Sequence, residues 1–259
     1  MSKNSIFSPV LAPAPRYLMR LSCIARILDL CPRNTRNFLE IGPGLGDVTA
    51  HLLERYPEAC GQLIEFSEMA AQQLARRFSR VERLDISSQE FSTYRPTIQH
   101  DLILAFEVLE HIEDDLSALR HIEAALRPGG FFIMSVPAFM KKWEIGDDWA
   151  GHYRRYEKKE IQEKLSSLGF EIQTLWGYGF PVFTIFYPFR QFFYRANQKS
   201  AKIGSKQAAS QQSGINRPLL VPGWAPWLAR LMAPLFLMQH VARHTDLGDG
   251  WIVLARKPA

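Results

Sequence analysis

The sequence predicts an α/β fold built on a mostly parallel sheet with helices on both faces. Strand-like apolar runs alternate along the chain with segments of helical periodicity, and such alternation is typical of parallel sheets. A glycine-rich turn, Gly42 to Gly46, joins the first strand to the next helix. The run from Asp101 to Phe106 is apolar throughout, as in strands buried on both faces.

Helices are expected where apolar residues recur every three or four positions and a cap or breaker marks an end. Pro57 ends the second helix, and Ser67 caps the third. Asp114 or Asp115 caps the fourth, which ends before the Pro-Gly-Gly turn that starts at Pro128. The predicted helices cover residues 15–30, 47–55, 67–78, 115–126, 157–168 and 226–240.

The predicted strands are short apolar or alternating runs between these helices. They cover residues 37–41, 62–65, 81–85, 101–106, 131–136, 170–176 and 250–255. Residues 177–194 are dense in aromatic side chains, and residues 196–216 contain little that could be buried, which is typical of a mobile loop. The last strand therefore joins the sheet after an aromatic-rich insertion of about seventy residues.

Composition narrows the class of protein. With 259 residues and an apolar fraction of 47%, the chain suits one globular domain over residues 1–259. Its three cysteines form no CxxC pair, which favours a reducing cytoplasm and argues against a zinc site. No signal peptide is visible, and no apolar run approaches the roughly 20 residues of a membrane span. We expect a cytoplasmic protein without a metal, although a carboxylate site using Glu110 stays open.

The charge is unevenly placed. The chain carries a net charge of +5, but from Arg195 onward nine basic residues face two acidic ones. We call residues 195–259 the basic tail. Such a tail attracts nucleic acid, anionic lipid or an acidic protein, or it is a solvated surface.

Three features point to a nucleoside ligand. The glycine turn lets a ligand approach the backbone and directs helix N–H groups at it. Glu65 ends the next predicted strand, where a carboxylate can accept both ribose hydroxyls. Asp85 and Ile86 end the third, where a carboxylate and an apolar side chain suit an adenine. Each is also compatible with a structural role: a tight turn, a surface acid and a helix cap.

The sequence resembles the class I S-adenosylmethionine-dependent methyltransferases, a Rossmann-like family. The resemblance covers residues 35–137 and rests on five segments. They are Phe38-Leu39-Glu40-Ile41-Gly42-Pro43-Gly44-Leu45-Gly46, Glu65, Leu84-Asp85-Ile86, Phe106-Glu107-Val108-Leu109-Glu110-His111 and Leu126-Arg127-Pro128-Gly129-Gly130. Glu40 stands where the family often has Asp. The dinucleotide fingerprint of NAD enzymes places its third glycine one residue later, and no P-loop lysine follows.

The resemblance implies a seven-stranded sheet with an antiparallel last strand, and S-adenosylmethionine as the cofactor. Residues 33–137 would form the cofactor-binding half, and residues 138–248 the acceptor or lid region. The ribose would lie at Glu65, the adenine at Asp85 and Ile86, and the methionine part at Phe106 and Glu107. The complete set of implied cofactor residues is Glu40, Gly42, Gly44, Gly46, Glu65, Phe66, Asp85, Ile86, Phe106 and Glu107.

Two histidines are candidate bases for the acceptor. His111 follows the fourth strand, near the expected methyl group, and His152 begins an H-x-R-R-Y segment found in similar bacterial methyltransferases. A hydroxyl acceptor needs a base. The alternatives are a hydrogen-bonded, half-buried His111 and a structural latch in which Arg154 and Arg155 pair with acids.

The favoured function is O-methylation of a hydroxylated apolar or aromatic small molecule, free or tethered to a carrier protein or lipid. The aromatic stretch would line the acceptor site, and the basic tail would attract an acidic carrier protein or an anionic membrane surface. A methyltransferase-like binding subunit and a membrane-peripheral protein are the non-enzymatic alternatives. Nucleic acid is disfavoured, because few aromatics interleave with the basic residues.

Overall fold

The computed structural model describes residues 15–185, 187 and 233–259. In these residues seven strands form a sheet of order β3-β2-β1-β4-β5-β7-β6. β7 pairs antiparallel with β5 and β6, and the other pairings are parallel. The strands are β1 (Asn37–Ile41), β2 (Cys60–Glu65), β3 (Leu84–Ser88), β4 (His100–Phe106), β5 (Leu126–Pro137), β6 (Glu171–Tyr178) and β7 (Gly250–Arg256). The predicted fold class and antiparallel last strand are confirmed.

Helices cover both faces of this sheet. They are α1 (Pro15–Leu28), α2 (Asp47–Arg55), α3 (Glu68–Arg77), α4 (Asp115–Ala125), α5 (Ile145–Ala150), α6 (Lys158–Ser167), α7 (Val182–Ile185) and α8 (Ala233–Ala242). One apolar core contains Leu119 of α4 and Ile161 of α6, and the other contains Ile24 of α1, Leu52 of α2 and Leu74 of α3. Each such fully buried side chain stabilises the fold by about 1.5–3 kcal/mol.

The third strand begins later than its apolar residues suggest. Val81 lies in the turn after α3, where its N–H donates to the Phe78 carbonyl. The strand therefore starts at Leu84 and continues to Ser88, so Asp85 lies inside it. The predicted strand 81–85 is wrong by three residues at both ends, because Val81 belongs to the turn after α3.

The fifth strand is longer than predicted, since it begins at Leu126 directly after α4. Gly129 has a φ of +73°, and its N–H donates to the carbonyl of Lys257. The Pro-Gly-Gly segment thus lies within β5, beside a register shift against β4, instead of forming a separate turn. The predicted cap is confirmed: the side chain of Asp114 accepts from the N–H of Ser117 at 3.0 Å.

Beyond β5, the six-residue helix α5 was not predicted from the sequence. Its first turn has a capping box in which the N–H of Glu144 donates to Asp147 at 2.8 Å. Most of the aromatic-rich insertion and all of the loop at residues 196–216 lie outside the described residues, so the insertion and the division at residues 137–138 stay predictions. α8 occupies the end of the predicted helix 226–240.

The N-terminal helix is fixed to the C-terminal part of the chain. Gln239 on α8 donates to the Met19 carbonyl at 2.9 Å, and Ser22 lies 2.9 Å from His240 Nε2. α1 thereby lies against the same end of the sheet as the residue after β4, Glu107. Among the described residues, no helix is long and apolar enough to cross a membrane.

Candidate active site

The glycine turn after β1 requires glycine at its ends. Gly42, Gly44 and Gly46 have φ of +65°, +59° and +78°, a region that disfavours side chains. A Cβ on Gly42 would lie 2.7 Å from a Val108 methyl, and one on Gly46 would lie 2.6 Å from the Phe78 ring. The turn can therefore bring its backbone and the start of α2 close to a ligand.

Glu65, the last residue of β2, faces this turn. Its Oε2 accepts from the N–H of Gly44 and its Oε1 from the N–H of Ser67, both at 2.9 Å. Glu65 is 8% exposed. Burial raises the pKa of its carboxyl, and these backbone donors act in the opposite direction. Two lone pairs remain for ligand hydroxyls, because each carboxylate oxygen can accept twice.

A cavity of about 500 Å³ opens at the carboxyl ends of β1, β2 and β4. Six of the predicted site residues line it, namely Gly42, Gly44, Glu65, Phe66, Glu107 and His111. Parallel strands place their carboxyl ends at one edge of the sheet, which explains why residues so distant in sequence meet here.

The predicted adenine residues do not reach the cavity. Asp85 lies within β3, where the side chain of Gln62 donates to it at 3.5 Å, and Ile86 packs on one apolar core. The strand ends three residues after Asp85, and the cavity is lined instead by Gln89, Glu90 and Phe91. The strand-end position expected for Asp85 and Ile86 is therefore wrong.

Three other predicted residues lie behind the cavity wall. Gly46 packs against the end of α3, and Phe106 is buried in one apolar core. Glu40 is buried as well, and its Oε2 accepts from the Thr49 hydroxyl at 2.6 Å. The carboxyl of Glu40 thus ties β1 to α2.

Glu107 is held by partners that the sequence did not reveal. It has a φ of +56° and accepts from the hydroxyls of Ser135 at 2.9 Å and Tyr178 at 2.7 Å. Arg16 and Arg20 of α1 lie 3.1 and 3.4 Å from its oxygens. Burial opposes its ionisation, but the two arginines outweigh it and hold the pKa of Glu107 below its ordinary value. The carboxylate is therefore charged and fixed at the cavity wall.

The two candidate bases lie together. The rings of His111 and His152 meet edge to face with centroids 4.7 Å apart. His111 lines the cavity, whereas His152 lies just behind it and is 7% exposed. Burial, and next the neighbouring His152 ring, lower the pKa of His111 to about 3, so His111 is neutral.

The H-x-R-R-Y segment holds His152 in place. His152 Nδ1 lies 2.8 Å from Asp147, and Arg155 Nε donates to both Asp147 oxygens at 3.0 and 2.9 Å. Burial opposes the ionisation of Asp147, but these partners lower its pKa to about 2. An ionised Asp147 can accept the Nδ1 proton of His152 and thereby fix the orientation of the ring.

Arg154 and Arg155 both pair with acids, as the latch interpretation expects. Arg154 lies 2.7 Å from Asp115 at the start of α4, and Arg155 is 2% exposed among Glu144, Asp147 and Asp249. The segment therefore joins α4, α5 and the start of β7 while it orients His152.

Glu110 stands beside these histidines and is completely buried. Burial, and next the charge of Glu107, raise its pKa well above the ordinary value. One potential ligand atom from each of Glu110, His111 and His152 lies within 4.8 Å of the others. The carboxyl of Glu110 thus lies beside His111 and His152. We call the part of the site formed by these three residues the histidine end.

The buried carboxyl of Glu40 should make the stability of the protein depend on pH. Burial, the largest cause, raises the pKa of Glu40 from 4.5 to about 7. Between these values the folded state binds more protons than the unfolded state, so stability falls as pH rises from 4.5 to 7. Glu40→Gln does not titrate and can still accept from Thr49, so we expect it to gain stability over the parent by at most about 3 kcal/mol on going from pH 5 to pH 8. Urea unfolding at both pH values measures this; an identical difference at both would contradict it.

The chain is similar to known proteins in sequence. A family model described as a methyltransferase domain matches residues 16–175. Malonyl-[acyl-carrier protein] O-methyltransferase 2 of Ilyobacter polytropus is 24% identical over 99 residues, 38% of each chain. Trans-aconitate 2-methyltransferase of Acidovorax sp. (strain JS42) is 28% identical over 114 residues, 44% of this chain and 42% of that relative. The chain thus spans less than half the length of these two curated relatives.

A solved structure shares the fold. The N-methyltransferase NodS of Bradyrhizobium japonicum WM9, in complex with S-adenosyl-L-homocysteine, superposes with a TM-score of 0.55 at 15% identity. The match covers 95% of this chain and 89% of that one. The family model spans more than half of the sequence, and the shared fold agrees with it. The chain belongs to the class I S-adenosylmethionine-dependent methyltransferases.

Proposed function

We propose that this protein methylates an oxygen atom of an apolar or aromatic small molecule, with S-adenosylmethionine as the methyl donor. The observation that carries the proposal is a single cavity with the glycine turn and Glu65 at one part of its wall and His111 at another. When bound, S-adenosylmethionine supplies an electrophilic methyl group on a sulfonium. The protein's task is to align the acceptor and exclude water.

The cofactor fits the residues present. Glu65 keeps lone pairs for two ribose hydroxyls, and the positive φ angles of Gly42 and Gly44 leave the backbone bare toward the cavity. Phe66 and Phe91 are apolar wall residues suited to a purine. We assign the cofactor to these residues in place of Asp85 and Ile86.

The acceptor belongs at the histidine end. Next to His111 the wall continues with Ile112 and Tyr153, which suit an apolar or aromatic acceptor. A hydroxyl must lose its proton to become a good nucleophile, and the pair of His111 and His152 is placed to activate it.

A carboxylate acceptor is the second candidate. It is favoured by the two curated relatives, whose names give malonyl-[acyl-carrier protein] and trans-aconitate as the molecules methylated. A carboxylate is already ionised at neutral pH and needs no base. The two candidates therefore differ in whether the histidines are required.

An acceptor screen tests the proposal. The full chain is incubated with methyl-labelled S-adenosylmethionine and with phenols, hydroxylated apolar compounds, and free or carrier-bound carboxylic acids. We expect label in a methyl ether that survives mild alkali, whereas a labelled methyl ester that alkali hydrolyses would favour the second candidate. Cofactor binding without transfer to any acceptor class would favour a binding subunit instead.

A carrier protein is the partner we propose for a tethered acceptor. The nine basic residues of the basic tail face two acidic ones, and one curated relative is named for a carrier-bound substrate. Opposite charges would speed the encounter of carrier and enzyme. Arg217 and Arg230 lie in the part of this tail outside the described residues.

Salt should weaken activity on a carrier-bound acceptor, because charge attraction is screened over about 8–10 Å at physiological ionic strength. Arg217→Glu combined with Arg230→Glu should raise the apparent KM and leave kcat nearly unchanged. Steady-state kinetics with carrier-bound and free acceptor measure both effects. Equal KM values for parent and variant, without any salt dependence, would contradict the carrier proposal; stronger binding of the parent to anionic vesicles would favour a membrane surface.

A further inference from the structure

Three side chains with metal-binding atoms converge behind the histidine end of the cavity. One atom each of Glu110, His111 and His152 lies within 4.8 Å of the other two, and these residues come from two separate segments of the chain. We propose that they bind a divalent transition-metal cation such as Zn²⁺. Its role in activating the acceptor rests on the proposed function, whereas the binding itself does not.

The carboxyl of Glu110 is the strongest argument. It is 0% exposed, and neither oxygen has a hydrogen-bond partner in any other residue that the structure describes. The nearby guanidinium groups of Arg16 and Arg20 are engaged with Glu107. A buried carboxyl without a partner is unfavourable, and a cation would bind its oxygens and stabilise its charged form.

His152 is oriented as a metal ligand would be. Its Nδ1 bonds to Asp147 at 2.8 Å, and Asp147 is fixed in turn by Arg155. A carboxylate on the far nitrogen sets the tautomer and increases the basicity of the ligating nitrogen, an arrangement common around bound metals. Nε2, the nitrogen that does not contact Asp147, is the ligand atom in this proposal.

His111 supplies the third ligand. Within residues 15–185, 187 and 233–259 its Nδ1 is buried and has no hydrogen-bond partner. The edge-to-face contact with the ring of His152, at 4.7 Å between centroids, brings the two imidazoles into one cluster. Since both rings lie against Glu110, a cation there would be held by two nitrogens and one carboxylate.

The donor set selects the kind of cation. Imidazole nitrogens suit zinc and other first-row transition metals, whereas Mg²⁺ and Ca²⁺ prefer oxygen ligands. Ligand atoms around a tetrahedral zinc ion lie roughly 3.3 Å apart at bond lengths near 2.0–2.1 Å. The three atoms, within 4.8 Å of one another, therefore need to converge by at most about 1.5 Å, which small side-chain rotations can supply.

Three protein ligands leave an open position on the cation. His111 lines the cavity, so this position faces the proposed acceptor end. A hydroxyl oxygen bound there would have a lowered pKa, as water does on zinc, and its proton would pass to bulk solvent. Acceptor activation by the histidine pair would then operate through the cation that the histidines hold.

Zinc titration of the untagged full chain, after dialysis against EDTA and without cofactor or acceptor, tests the site. We expect one ion per chain with a dissociation constant of about 1 µM or tighter in calorimetry. Glu110→Gln and His152→Gln should each weaken binding by more than about a hundredfold, since even outer partners of a metal ligand contribute about 10–100-fold. Glu113→Gln, which removes a carboxylate from the same loop, is the matched control and should bind zinc like the parent.

Thermal unfolding guards against a loss of fold. Metal-free Glu110→Gln should be at least as stable as the metal-free parent, and zinc should stabilise the parent only. Millimolar binding in the parent, or equal affinity in the parent and both ligand variants, would overturn the site. Zinc bound as expected, with no methyl transfer to any acceptor, would refute the proposed function alone. Unchanged turnover on a hydroxyl after verified metal removal would overturn the activating role.

Discussion

Replacing His152 with glutamine is expected to lower turnover on a hydroxyl acceptor by about 10²–10⁴, with the affinity for S-adenosylmethionine close to that of the parent. The same result is expected for His111→Gln. The two rings are in contact and His111 lines the cavity, so either substitution should affect the acceptor while Glu65, the proposed ribose ligand, is unchanged. The loss should be similar whether the imidazole takes the proton itself or holds a cation that makes the hydroxyl more acidic.

The fold of the His152 variant should survive. Asp147 loses one hydrogen bond but keeps both contacts with Arg155 Nε. His51→Gln is the matched control, because His51 is a partly exposed histidine on α2, paired with Glu54 at 3.9 Å. Single-turnover kinetics with saturating cofactor separate the chemical step from binding. If both active-site variants kept full turnover on a hydroxyl, the histidines would not activate the acceptor, and its base would lie elsewhere.

The sheet was predictable because its signals are local. Each buried parallel strand is a short apolar run bounded by a cap, a proline or a glycine, and these residues act on their own neighbours in sequence. The same locality explains why Gly42, Gly44 and Glu65 line one cavity: strand ends in a parallel sheet meet at one edge whatever the intervening helices contain. The position of these three residues at the cavity follows from strand boundaries alone.

The wrong strand-end position predicted for Asp85 also follows from relying on local signals. A shift of three residues in the boundary of β3 places a different set of side chains at the cavity. An apolar residue such as Val81 gives no sign in the sequence that it lies in a turn after a helix and does not start a strand. Element boundaries are the least certain part of any interpretation from sequence. The residues that line the cavity, Gln89 to Phe91, follow the strand by one to three positions.

The histidine end could be predicted only in part. His111 and His152 were candidates, but their contact depends on α5 and on the chain of bonds from Arg155 through Asp147. The sequence left open a carboxylate site using Glu110 but did not pair it with His152, because the two are about forty residues apart and no spacing between them is typical of ligands. Tertiary structure alone brings these side chains together.

Removing the carboxylate of Glu65 is expected to weaken S-adenosylmethionine binding about ten- to a hundredfold, because hydrogen bonds to a charged group contribute roughly 1.5–3 kcal/mol. Glu65 Oε2 and Oε1 each accept one backbone N–H, from Gly44 and Ser67, and each has a lone pair left for a ribose hydroxyl. Calorimetry of Glu65→Ala against the parent gives the change in dissociation constant. Glu68→Ala, an exposed acid at the start of α3, is the control and should bind normally.

Glu65→Ala can weaken cofactor binding in two ways, by removing the proposed ribose contact and by disturbing the glycine turn. Glu65→Ala also frees the N–H of Gly44, so the glycine turn itself could rearrange. Glu65→Gln keeps an oxygen that can accept from Gly44, but its NH2 group cannot accept from Ser67 and the charge is lost. It should therefore keep the glycine turn closer to that of the parent than Glu65→Ala does, while still losing affinity. If Glu65→Gln bound the cofactor like the parent and only Glu65→Ala were weak, Glu65 would support the turn without holding the ribose. If both variants bound like the parent, neither role would stand, and the ribose would have to lie elsewhere along the cavity wall.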